Sequence, residues 1–260
     1  MKKWNLIITI LLFIFGALCF IFFEARPITI IQNNIEANRL LCGSLSRLGL
    51  SILFIWLLYQ SNGKKLMIFD RRFLKTLLWS LPCFMVALVN FPLSAILSND
   101  LTITKPNLFG LYIMYVFGVA LLEELIFRGI LLLLVSDLLR NKRHKPLLTV
   151  LICSLIFSLF HLTNLIGANV GSVLLQCLYT FLLGGMLTVT MLKGKNIWLC
   201  VLIHAIFNFG GLLVIMQIGE GNPWDLAFWI ATVVSALLCA GHILMTLLKL
   251  EKDYVSERTF

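Results

Sequence analysis

The apolar run from Phe109 to Leu139 is long enough to cross a bilayer, yet it carries Glu123, Glu124 and Arg128 within six residues. An ionised side chain near a bilayer centre costs about 2.5–3.5 kcal/mol on insertion scales. Such groups persist where they face protein, water or one another. On a helix Glu124 and Arg128 stand at i and i+4, on one face, so they can pair. Glu123 is turned about 100° away, which leaves it as the carboxylate without a local partner. A purely structural intramembrane ion pair is the plain alternative. Intramembrane ionisable residues are functional candidates by default, and the rest of the chain bears on what meets Glu123.

The chain of 260 residues is 60% hydrophobic and 13% charged, with a mean hydropathy of +0.98. Soluble domains average about 45–50% apolar and about 25% charged, so the composition is that of an integral membrane protein. A net charge of +9 would suggest nucleic acid in a soluble chain. Here the charges cluster in short loops between apolar runs, where they set topology and meet anionic lipid; nucleic acid is not expected as a partner. Trp4, Trp79, Trp198 and Trp224 lie near the ends of apolar runs, as interface anchors do. The seven cysteines all fall in or beside such runs, with no CxxC or Cys/His zinc spacing. They read as small buried hydrophobes, not as a disulfide framework.

Apolar runs predict transmembrane helices at Leu6–Phe23, Leu40–Tyr59, Leu74–Leu97, Phe109–Leu139, Leu147–Leu162, Gly171–Leu192, Ile197–Ile218 and Trp224–Leu248. The first is read as an uncleaved helix, because the bulky, charged Phe22–Pro27 lacks a small-x-small cleavage site. Leu147–Leu162 is short and can extend towards Ile166. Pro82 and Pro92 should kink the third helix. Lysine and arginine concentrate at Lys2–Lys3, Lys64–Lys75, Arg140–Lys145, Lys193–Lys195 and the tail. The other side receives only Arg26, Arg39, Arg47 and Lys105 among the basic residues, together with the acidic Glu24, Glu36, Asp100, Glu220 and Asp225. By the positive-inside rule this predicts an all-α polytopic membrane protein of about eight transmembrane helices. It would be a multi-pass protein of the cell membrane with both termini cytoplasmic and an intramembrane active site. Helices one to three would form residues 1–108, a core of helices four to seven residues 109–218, and the last helix and tail residues 219–260.

Four histidines occur. His144 sits in a basic loop and reads as solvated, while His242 stands alone on the last helix and reads as a packing or hydrogen-bonding group. His161 follows Phe157 by one helical turn, and His204 precedes Asn208 by one turn. A carboxylate, two imidazoles and an amide in a low-dielectric pocket suit amide hydrolysis, which needs an activated water, a proton shuttle and oxyanion donors. Glu123 is the candidate general base, His161 its partner at the water, and His204 and Asn208 candidate oxyanion donors. Alternatively, Glu123, His161 and His204 could hold Zn²⁺ with an open water position. HExxH is absent, so such a site would have to be assembled between helices; the cofactor stays open. Ser154, Ser158 and Cys153 lie near His161 without an ordered triad.

Glu123-Glu124-x-x-x-Arg128, Phe157-x-x-x-His161 and His204-x-x-x-Asn208 resemble, in order, the three motifs of the CAAX-protease and bacteriocin-processing family of intramembrane endopeptidases. The resemblance covers about residues 111–211. It implies a multi-helix membrane protease whose pocket opens towards the cytoplasm, with Glu123 activating water and His161, His204 and Asn208 assisting. Both metal-dependent and glutamate-type mechanisms stay open. It implies a membrane-associated peptide or protein substrate: eukaryotic relatives cleave the last three residues from prenylated CaaX proteins, and members like this one resemble bacteriocin-immunity and peptide-maturation proteins. A non-catalytic immunity scaffold and a proton-coupled transporter are the competing readings. The chain shows no internal repeat of the kind many transporters carry.

Overall fold

In a lipid-facing chain every backbone polar group has to be satisfied internally, and this chain does so almost wholly with helices. The computed structural model describes residues 29–61, 63–69 and 73–256; the expected helix at Leu6–Phe23 lies outside them. Helix α1 (Ile35–Gln60) is capped by Asn34, whose side chain accepts from the Ala37 amide at 2.8 Å. It covers the expected Leu40–Tyr59.

The expected Leu74–Leu97 helix is broken rather than kinked. It runs as α2 (Phe73–Trp79), α3 (Leu81–Val89) and α4 (Leu93–Leu97). Pro82 sits in the first turn of α3 and Pro92 caps α4, each at a helix start, where the missing proline N–H costs no ladder bond.

The polar-bearing run is continuous: α5 (Phe109–Glu124), a π-helical segment (Leu125–Leu131) and α6 (Leu132–Leu138) follow one another without interruption. Helix α7 (Lys145–Phe160) extends as a 3-10 turn over His161–Ile166, as its length required. Helix α8 (Val170–Gly194) starts at an Asn169 cap and ends with Lys195 in the left-handed region. Helix α9 (Ile197–Gly211) stops short of the expected Ile218, and α10 is Leu226–Ser256. Among the described residues four stretches are long and apolar enough to cross a membrane: Ile35–Gln60, Lys145–Ile166, Val170–Gly194 and Leu226–Ser256.

A short two-stranded element interrupts the helices. Strands β1 (Leu101–Ile103) and β2 (Gly219–Gly221) pair antiparallel, Leu101 opposite Gly221. The residues that would have prolonged α9 instead turn back, and the Ile218 carbonyl accepts from the Thr104 and Lys105 amides. Gly221 makes the pairing possible: its φ is +129°, and a Cβ there would lie 2.1 Å from the Asp100 carbonyl oxygen. Nearby, Lys105 reaches Glu36 at 2.7 Å and ties this hairpin-like element to α1.

Lipid tails are as apolar as leucine, so helices in a membrane associate through close packing and hydrogen bonds rather than burial of area. The main core is built on the π segment, with Leu125, Phe127 and Ile130 packed against Phe54 and Leu58 of α1, Phe157 of α7, Leu187 of α8 and Ile197 and Ile203 of α9. A second cluster joins Leu40, Tyr112, Val116, Leu213 and Met216. Helix α10 joins the main core through Cys239, while Ile230, Leu237, Leu238 and Leu244 on it are exposed, the face a bilayer would cover.

Candidate active site

Glu123 and Glu124 are the last residues of α5, and the helix widens into its π-helical segment immediately after them. Single π turns inside α-helices recur at functional sites. Here one carries Arg128 under the glutamates. Its Nη1 donates to Glu124 Oε1 at 2.9 Å, and both side chains are almost fully buried. Its Nη2 donates to the Gly184 carbonyl of α8 at 3.3 Å, and its guanidinium lies 4.3 Å from the centre of the Phe157 ring. A cation over an aromatic face is attracted by the ring quadrupole, the more so when desolvated.

Gly184 allows this approach. A Cβ there would stand 3.1 Å from Ser154 Cα and 3.2 Å from Phe157 Cδ1, so any larger residue would push α7 away. It sits in a Gly184-Gly185 pair, the small-residue signature of a tight intramembrane crossing. That pair was the available signal for a residue the motifs do not include.

Glu124 does more than hold register with Arg128. The same Oε1 lies 2.7 Å from His204 Nδ1 across from α9. Glu124 Oε1 already accepts from Arg128, and with that oxygen as the acceptor Nδ1 is the donor. In the neutral ring Nε2 then keeps its lone pair. That nitrogen faces Glu123 Oε2 at 3.7 Å, beyond direct hydrogen-bond length. Glu123 Oε2 is itself buried without a hydrogen-bond partner among the described residues, although the side chain as a whole is 16% exposed. The expected partnerless carboxylate is therefore present, and it opens on an imidazole.

His161 ends α7, where the helix tightens to 3-10 geometry. Its Nδ1 lies 2.8 Å from the Phe157 carbonyl oxygen, an acceptor, so Nδ1 holds the proton and Nε2 is again left with the lone pair. Phe157 joins the two histidines: its ring centre is 4.9 Å from that of His161 and 5.9 Å from that of His204, edge-on to both. It also meets Phe127 at 4.9 Å. Phe157 thus links Arg128, His161 and His204, and His204 in turn meets Glu124 and Glu123. Asn208, one turn beyond His204, is half-buried, and its amide makes no hydrogen bond among the described residues. His204 commits its Nδ1 to Glu124 and turns the Nε2 lone pair towards Glu123, which differs from its expected place as an oxyanion donor beside Asn208.

Among the described residues no three His, Cys, Asp or Glu side chains converge as metal ligands, so Glu123, His161 and His204 as placed do not fit a zinc ion. The nearby hydroxyls are committed to backbone: Ser154 Oγ donates to the Val150 carbonyl and Ser158 Oγ to the Cys177 carbonyl, both at 2.6 Å. Neither is aimed at a histidine.

Helix α9 is fixed against the broken third span. Asn90 Nδ2 donates to the Phe207 carbonyl at 2.7 Å, and Tyr112 Oη donates to the Phe209 carbonyl. Gly210 passes so near that a Cβ would lie 2.3 Å from the Asn90 carbonyl oxygen. These contacts lock the end of the helix that presents His204 and Asn208.

No curated protein matches this chain, and no solved structure matches it. A family model does: over residues 105–210, where all three motifs and the whole residue cluster lie, the chain matches the Rce1-like family, described as type II CAAX prenyl endopeptidase Rce1-like, in agreement with the CAAX-protease family that the motifs resemble.

Proposed function

We propose that this protein is an intramembrane endopeptidase that hydrolyses a peptide bond of a membrane-associated protein or peptide with water activated by Glu123. The observation that carries the reading is the relay Glu124–His204–Glu123: 2.7 Å from carboxylate to Nδ1, then 3.7 Å from Nε2 to the second carboxylate. One oxygen about 2.8 Å from each completes the triangle between Nε2 and Oε2. A water held there gives its proton to Glu123 as it attacks the carbonyl carbon. Glu123 passes that proton to the leaving amine, and Glu124 holds the His204 ring and stabilises positive charge that develops on it. The arrangement parallels the carboxylate–imidazole pair of hydrolases, in which a buried acid fixes the tautomer. His161 Nε2 is a second lone-pair donor on the same aromatic hub, and the uncommitted Asn208 amide is available to the oxyanion.

The topology proposed with it has eight spans, the glutamates at mid-membrane, a core over residues 109–218 and both termini in the cytoplasm of a cell-membrane protein. A CAAX-type or a bacteriocin or peptide-precursor substrate fits the family match and the site. The test uses purified protein in liposomes with prenylated and unprenylated membrane-anchored peptides, products being identified by mass. Cleavage is expected, abolished in Glu123→Gln and largely kept in Cys153→Ala, Ser154→Ala and Ser158→Ala. A folded Ser158→Ala protein without activity would replace the water mechanism with an acyl-enzyme. Cleavage by no member of the series would favour the non-catalytic scaffold.

A further inference from the structure

Away from the glutamates, three sulfur atoms from three helices meet in the core. Cys83 is on α3, Met186 on α8 and Cys239 on α10, and all three are buried. Cys239 Sγ lies 3.9 Å from Cys83 Sγ and 3.5 Å from Met186 Sδ. We propose that Cys83, Cys239 and Met186 form a binding site for a soft monovalent cation of the Cu(I) type.

Thiolate and thioether sulfur favour soft ions of this kind over magnesium or calcium, and zinc sites are built from Cys, His, Asp or Glu rather than thioether sulfur. Metal–sulfur bonds of about 2.3 Å at trigonal angles put two sulfurs about 4 Å apart, close to the separation of the two thiols. A disulfide, with a bond of about 2.05 Å, would instead need the two sulfurs to close by about 2 Å. Two cysteines alone are too few donors, and the methionine supplies the third. The chemistry is a ligand exchange without electron transfer. One S–H bond breaks, its electron pair stays on sulfur and forms the metal–sulfur bond, and the proton leaves to solvent. The second cysteine and the thioether bind through neutral lone pairs. The cation plus one thiolate is neutral overall, which suits an interior where net charge is costly. Occupancy ties α3 and α10 to α8, two residues along from the Gly184 carbonyl that holds Arg128.

The test is independent of any peptidase activity. Full-length protein in detergent, kept anaerobic and reduced, is equilibrated with Cu(I) delivered as its bathocuproine complex and separated by gel filtration. The wild type is expected to retain one equivalent. Cys83→Ala and Cys239→Ala should not, Met186→Leu should bind about 10-fold or more weakly, and Cys42→Ala and Cys177→Ala should match the wild type. X-ray absorption of the loaded wild type should show three sulfurs at about 2.3 Å, and this decides the matter should an alanine variant fail to fold. Unchanged retention in folded Cys83→Ala and Cys239→Ala, a wild type that retains no copper, or a nitrogen and oxygen shell around the metal would each overturn the proposal.

Discussion

The Glu124 carboxylate and the His204 imidazole meet at 2.7 Å although 80 residues separate them in the chain. That contact joins α5 to α9 and converts an ion pair within one helix into a relay between two. Glu124 Oε1 serves Arg128 and His204 together, so one oxygen holds both the register of its own helix and the orientation of the ring that faces Glu123.

Removing one member of a buried ion pair strands the other charge, at about 3–5 kcal/mol, whereas replacing both is often close to neutral. Glu124→Gln and Arg128→Met are each expected to lower thermal stability in detergent, and the double variant to recover part of the loss. A double-mutant cycle measures the coupling. The three-way contact adds a second readout: activity stays low in the recovered double variant, because His204 has lost its acceptor. Simple additivity of the two single effects would contradict the arrangement.

The relay fixes a tautomer. Nitrogen-15 NMR of histidine-labelled protein should find neutral His204 and His161 protonated at Nδ1 and not at Nε2, since both Nδ1 atoms face acceptors. Glu124→Gln should disturb the His204 signal and leave that of His161 in place. An Nε2–H form of His204 in the wild type would break the proposed path to Glu123.

Two glycines are predicted to resist enlargement and two to welcome it. Gly184→Ala places a Cβ against Ser154 Cα, and Gly210→Ala against the Asn90 carbonyl. Overpacking of this kind costs about 1–3 kcal/mol, with Gly210→Ala expected to be the worse because its neighbour is backbone. Gly110 and Gly241 lie in helices with open space around them, where alanine should be neutral or raise stability by about 0.5–1 kcal/mol. Thermal unfolding of the four variants in one detergent tests the order.

Charge asymmetry predicts that the loops at Lys64–Arg72 and Arg140–Lys145 face the cytoplasm and those at Ile28–Glu36 and Gly219–Asp225 the other side. Single cysteines introduced into a variant without native cysteines should be labelled from outside intact cells only at the second pair. Labelling of the Arg140–Lys145 loop would sink the eight-span topology.

Most residues of the candidate site belong to the three sequence motifs. Glu123, Glu124 and Arg128 are conspicuous because charge in an apolar run demands a partner, and the i, i+4 spacing supplied one of them. Phe157 and His161 share a face for the same geometric reason, and they do meet. What periodicity does not carry is the partner across the bundle: nothing in Ile197–Gly211 marks His204 for Glu124 rather than for an oxyanion. The π segment is equally silent, since Leu125–Leu131 reads as ordinary apolar helix. The short strands escaped because three residues are too few for an alternating pattern. The break at Asn90–Pro92 was visible as a proline, but its use as a brace for α9 depends on the Phe207 carbonyl and on Gly210, both far away in the chain.

In the proposed mechanism Glu123 is the group that acts on water and Glu124 the one that holds the structure. The direct measurement is kcat/KM of Glu123→Gln on a cleaved peptide, beside its thermal midpoint in the same preparation. General-base catalysis contributes about 10²–10⁴-fold, so activity should fall by that much while the midpoint is kept or rises, because active-site carboxylates are held at a cost to stability. Retained activity, or activity lost only because Glu123→Gln unfolds, would contradict the account and transfer the catalytic role to Glu124.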